Sequence, residues 1–119
     1  MWLFTQHGFY SVIVDGANRE YVFIQARSTK HLQNLRDKFE VEDQIVHVPY
    51  ADCPYVLRIK RQRWLSLAAD LASDVRYTSF LSAASKQRDR LGPRFVVGLG
   101  DLWRAVGEVF RPNKIGAEK

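Results

Sequence analysis

The sequence predicts an α+β domain: a four-stranded antiparallel sheet with helices packed on one face, in the order β-β-α-β-β-α-α-α. Three observations carry this. Short segments rich in aromatic and β-branched residues come in two pairs, each pair split by turn-forming residues. Apolar positions recur at helical spacing between the pairs and again from Arg61 onward. No repeat or low-complexity tract divides the 119 residues, so a single domain over residues 1–111 with a flexible tail at 112–119 accounts for the chain.

Residues 9–14 (Phe-Tyr-Ser-Val-Ile-Val) and 21–27 (Tyr-Val-Phe-Ile-Gln-Ala-Arg) read as strands joined across Asp15-Gly16-Ala17-Asn18, whose residues favour a turn. Trp2 to Thr5 reads as an extension of the first strand, kinked at Gly8. Ser28 or Thr29 supplies a hydroxyl to cap a helix carrying Leu32, Leu35 and Phe39, and the acids Glu40, Glu42 and Asp43 end it. Gln44 to Pro49 and Tyr55 to Lys60 form the second pair, separated by a turn ending in Pro54. Trp64, Leu67, Ala68, Leu71 and Val75 then make one helical stripe. Thr78 begins a third helix with Phe80, Leu81 and Ala84, which Gly92-Pro93 breaks. Leu99, Leu102, Trp103, Val106 and Phe110 define a last helix and read as its core face.

Composition excludes several classes. Cys53 is the only cysteine, so there is no internal disulfide and no cysteine-based zinc site. The apolar start lacks a basic leader and a cleavage motif, which argues against a secretory signal. No apolar run approaches the roughly 20 residues that span a bilayer. A soluble cytoplasmic protein without a membrane partner is the expectation.

Charge is distributed unevenly. Residues 1–57 hold five Lys/Arg against seven acids; residues 58–119 hold thirteen against six. A localised positive field attracts polyanions. Arg58, Lys60, Arg61 and Arg63 form one cluster, and Lys86, Arg88, Arg90 and Arg94 a second. If both lie on one side, they make a phosphate-tracking footprint. Strand alternation adds aromatic groups to it. Val22, Ile24 and Ala26 share one face, as do Tyr55, Leu57 and Ile59, and these are the natural core faces. The opposite face then presents Tyr21, Phe23, Gln25, Arg27, Arg58 and Lys60, rings beside cations, as in surfaces on which single-stranded nucleic acid stacks. The leading expectation is therefore a small basic nucleic-acid-binding module. The alternative is a protein-interaction module (adaptor, inhibitor or assembly subunit), whose partner is another protein or a second copy. Trp2, Phe4, Phe9 and Tyr10 offer more apolar surface than one strand needs.

The case for catalysis is thin, and neither a cofactor nor a metal is expected. His7, His31 and His47 lie in three different elements, none at metal-ligand spacing with a carboxylate or another histidine. His31 reads as an exposed helix residue, and His47 as a strand residue near the turn. Cys53 would act as a nucleophile only with His47 beside it. Gly98-Leu99-Gly100 lacks the third glycine of a nucleotide loop.

The opening Met1-Trp2-Leu3-Phe4-Thr5 with Gly8-Phe9-Tyr10-Ser11 resembles that of an uncharacterised bacterial family of small proteins beginning M-W-[LI]-F-T-x-x-G-F-[FY]-S. Arg27 and His31-Leu32, the turn Asp52-Cys53-Pro54-Tyr55, Tyr77 to Phe80, and Asp101-Leu102-Trp103 are similar to its later motifs, so the likeness covers most of the chain. It departs at Gln25, where the family tends to have arginine, and at Cys53, where it tends to have tyrosine. The resemblance implies a standalone domain and brings no activity. Thr5, His7, Arg27, His31, Asp52, Tyr55 and Arg58 are the candidates for a shared polar surface, with Arg27 and Asp52 as an ion pair pinning the second turn.

Overall fold

The structure is a computed structural model and describes residues 1–112. Most of the expected tail lies outside the described residues. The strands are β1 (Trp2–Thr5), β2 (Gly8–Val14), β3 (Tyr21–Ala26), β4 (Val46–His47) and β5 (Tyr55–Lys60). The helices are α1 (Thr29–Phe39), α2 (Arg61–Ser73), α3 (Phe80–Lys86), α4 (Arg88–Leu91) and α5 (Pro93–Phe110). The α+β class and the antiparallel sheet are as expected, but the sheet has five strands, in the order β1-β2-β3-β5-β4.

The extra strand is Trp2–Thr5. It does not extend β2; it folds back on it, with Trp2 opposite Ser11 and Thr5 opposite Gly8. The turn lacks the usual Asn-Gly signature. Thr5 closes it instead: its Oγ1 accepts the amides of His7 and Gly8 and donates to the Gly8 carbonyl. The expected third strand shrinks to Val46–His47 on the sheet edge. Pro49 and Pro54 flank that short ladder and deny it further amide donors.

Between β2 and β3, Asp15 Oδ1 accepts the amides of Ala17 and Asn18, an Asx turn that justifies Asp at this position. β3 and β5 are neighbours in register Tyr21↔Lys60 to Ala26↔Tyr55. The strand faces sort as the alternation predicts: Val22, Ile24, Ala26, Leu57 and Ile59 point into the core with Tyr10 and Val12. α1 covers this face through Leu32 and Leu35, and α2 through Trp64 and Leu67. Each fully buried aliphatic side chain of this set contributes about 1.5–3 kcal/mol.

Helix boundaries follow local chemistry. α1 ends where Glu40 turns left-handed, its amide bonded to the Arg36 carbonyl. α2 stops at Ser73, so Val75 lies beyond it and is exposed instead of completing the expected stripe. Ser79, not Thr78, caps α3, accepting from the Ser82 amide. The segment expected as one helix up to Gly92 divides at Gln87 into α3 and α4. Pro93 then starts α5 at a position where its missing N–H costs nothing.

A second, smaller core of Ala84, Leu91, Val96 and Leu99 joins α3, α4 and α5, with Phe4, Phe80, Leu81 and Phe95 packed around it. Phe4 ties this core to the sheet. No described helix is long and apolar enough to cross a membrane.

Candidate functional site

The sheet face away from α1 carries the expected row: Tyr21, Phe23 and Gln25 half-buried, and Arg58 and Lys60 exposed on the neighbouring strand. Ile13 and Val56 lie in the same row by register. Arg58 is already engaged there. Its Nε donates to Asp15 Oδ2 at 2.9 Å, and its guanidinium carbon sits 3.7 Å from the centre of the Tyr21 ring. The Arg58 bond and the Ala17 amide hold the Asp15 carboxyl below the usual carboxylate range. One face of Tyr21 is thus covered by the protein's own arginine. Arg27 donates to both oxygens of Asp52 at 3.1 Å, the expected ion pair; both side chains are exposed, so it contributes at most about 1 kcal/mol.

The two basic clusters sit at opposite ends of the sheet. Lys60 pairs with Tyr21 at the start of β3, and Arg61 follows it. The helices bearing Lys86, Arg88, Arg90 and Arg94 attach at the other end. There the His31 ring bonds the Leu91 carbonyl, Asn34 bonds the Arg90 carbonyl, and Lys30 bonds that of Asp89. The six residues of β3 separate these ends by about 20 Å. Arg63 turns inward to donate to the Phe39 carbonyl. Among the described residues, Lys60, Arg61, Lys86, Arg88, Arg90 and Arg94 form no ion pair.

His31 is not an exposed helix residue. It is buried, and both ring nitrogens are used: Nδ1 accepts the Phe9 amide at 3.2 Å, and Nε2 donates to the Leu91 carbonyl at 2.9 Å. Its ring meets Phe95 edge-on, and its own carbonyl accepts the Tyr10 hydroxyl. Burial pushes the imidazole pKa down, so it is neutral, and burial likewise raises that of Tyr10.

A second polar group escaped the sequence reading. His7 Nε2 lies 2.6 Å from Asp74 Oδ2, with Gln6 Nε2 donating to the same oxygen and Lys38 at 4.0 Å from the other. Burial opposes charge on Asp74, but the hydrogen bond with His7, the Lys38 charge and the Gln6 amide leave its carboxyl below the ordinary range. The pair borders an apolar cavity of about 210 Å³ lined by Leu3, Trp64, Leu71 and Tyr77. No side-chain hydroxyl or thiol among the described residues bonds the His7 ring, so the pair clamps the β1–β2 turn to the end of α2. Cys53 is half-buried in its turn, and His47 stacks on Tyr55. Among the described residues no group of three metal-ligating side chains converges.

A larger apolar opening lies elsewhere. Phe4, Phe80, Leu81, Leu99, Leu102, Trp103 and Val106 line a groove of about 540 Å³ between α3 and α5. From Asp101 to Pro112 every residue is exposed; Leu102, Trp103 and Val106 form one wall of this groove, and the helix end beyond them carries Val109 and Phe110 in solvent. Trp103 and Phe110, expected in the core, are 70% and 79% exposed. An apolar stripe has the same sequence period whether it faces a core or open solvent, which is why the expectation failed. Phe4 also borders the sheet-face hollow lined by Trp2, Phe9, Ser11 and Arg27. Its ring stacks on Phe9, 4.2 Å between centres, and Trp2 meets Phe9 edge-on. One apolar surface therefore runs from Trp2 through Phe4 to the tip of α5.

No family model, curated protein or solved structure matches the chain. The functional reading rests on these residues alone.

Proposed function

We propose that the chain is a protein-interaction module, binding through the apolar surface that joins the aromatic first strand to the exposed half of α5. The observation that carries this reading is the exposed run of ten residues that ends α5, with Trp103, Val109 and Phe110 largely in solvent at an open apolar groove. Exposed contiguous apolar surface of this kind marks interaction sites, and buried aromatic anchors dominate binding energy when a partner covers them. The polar side-chain groups of the groove lining are the Thr78 and Ser79 hydroxyls and the Trp103 indole N–H; the other lining side chains are aliphatic or phenyl. A photo-reactive phenylalanine analogue replacing Trp103 tests the reading. Illumination in cells is expected to give a covalent adduct to a protein; an adduct to nucleic acid alone, or none, overturns it.

A second reading retains nucleic acid as the partner, because six cations of the two clusters form no ion pair among the described residues and Phe23 lies on the open sheet face. With the clusters about 20 Å apart, a single strand would have to run along β3, contacting Lys60 and Arg61 at one end and Arg27 at the other. Binding to a mixed-sequence oligonucleotide is then expected to fall steeply between 50 and 200 mM salt, by about tenfold or more for a few phosphate contacts. A flat response, or no binding at low salt, retires it.

A further inference from the structure

We infer that the partner of the exposed end of α5 is a second copy of this chain, the two helices pairing antiparallel about a two-fold axis near Trp103 and Val106. This rests on the protein-interaction reading and narrows it. At about 100° per residue, Leu99, Leu102, Trp103, Val106, Val109 and Phe110 fall within one arc of about 120°. The first of them is buried against α3 and α4; the rest continue the same line into solvent. One molecule thus carries both an apolar hollow, walled on one side by Leu99, Leu102, Trp103 and Val106, and beyond it an apolar tip, Val109 and Phe110. A two-fold axis places each tip against the other copy's groove, the self-complementary arrangement of an isologous dimer.

The area suffices. A buried aromatic side chain covers 150–250 Å², so Trp103 and Phe110 at their observed exposures offer roughly 300 Å² together. Leu102, Val106 and Val109, with Phe4 and Phe80 on the opposite wall of the groove, bring this to about 600 Å² per copy, the lower bound for a stable interface.

Charge agrees. The chain carries a net charge of +5, which opposes self-association through most faces. The exposed end of α5 is the exception. Its charged residues lie on the far side of the helix and cancel: Arg104 pairs with Asp101, and Arg111 with Glu108. The apolar arc itself bears no charge. Gly107, beside Trp103 on the wheel, costs helix stability of about 1 kcal/mol, yet a side chain there would meet nothing within 4 Å in the single copy. A second helix packed close at that point supplies the missing neighbour.

Light scattering on the full chain at 5–200 µM is the test. The expected mass is twice 13.8 kDa, with Trp103→Glu and Val106→Glu monomeric over the same range while their far-ultraviolet dichroism stays native. Val97→Glu, on the exposed back of the same helix, is expected to remain dimeric. A wild-type chain that stays monomeric throughout overturns the inference, as does a dimer indifferent to both α5 variants. Monomeric wild type with a photo-adduct to a different protein would sink the second copy but leave the interaction reading standing; no protein adduct at all sinks both.

Discussion

Gly8→Ala is expected to destabilise the domain by about 4 kcal/mol or to prevent folding. A Cβ at position 8 would lie 2.6 Å from His31 Cβ, 2.7 Å from its Cγ and 2.9 Å from the Tyr10 hydroxyl. None of these atoms can swing aside. The His31 ring is held at both nitrogens, and the Tyr10 ring is buried with its hydroxyl on the His31 carbonyl. Relief therefore requires α1 to lift from β2. Overpacking of a tight contact costs about 1–3 kcal/mol, and each buried hydrogen bond broken in the shift adds about 1–3 kcal/mol. The control is Gly16→Ala, where a Cβ meets nothing and the expected change stays within about 0.5 kcal/mol. Urea midpoints for both variants decide it: equal stabilities would mean that the β2–α1 contact is not the close approach described above.

That glycine shows where sequence reasoning stops. A glycine at the start of a strand reads as a kink, and the alternation from Phe9 onward reads correctly as a strand. The need for hydrogen at position 8 comes from a helix 23 residues away. The β3 and β5 faces were legible, because period-two alternation assigns Val22, Ile24 and Ala26 against Tyr21, Phe23 and Gln25 without knowing the neighbours. The Arg27–Asp52 pair was legible because the resemblance singles out both residues and their opposite charges suit an ion pair pinning the second turn. Arg58 was placed on the correct face, but its engagement with Asp15 depends on the β2–β3 loop folding over β5. The positive half of the chain was visible as composition; that it divides between two sheet ends follows only from where α4 docks. The β1–β2 turn was hidden because a threonine, instead of an Asn-Gly pair, closes it.

His31→Ala is expected to cost about 3 kcal/mol or more at neutral pH, and to cost less in acid. The imidazole joins three segments distant in sequence, namely the start of β2 through the Phe9 amide, α1 itself, and the end of α4 through the Leu91 carbonyl. Removing it leaves one buried donor and one buried acceptor unpaired, at about 1–3 kcal/mol each, and a void against Phe95. The pH dependence distinguishes this role from mere packing. Burial lowers the His31 pKa below 6.5 in the folded state, whereas the unfolded chain takes up its proton at the ordinary value. Below pH 6.5 the unfolded state therefore binds more protons, and stability falls as pH falls toward the folded pKa. Above 6.5 the contribution is complete. Alanine has no such proton, so the stability gap between wild type and His31→Ala should narrow from pH 7.5 to pH 5.5. Denaturant midpoints at the two values measure it; a gap that stays constant would mean that the folded imidazole titrates like a solvent-exposed one, and the three-segment clamp would have to be abandoned.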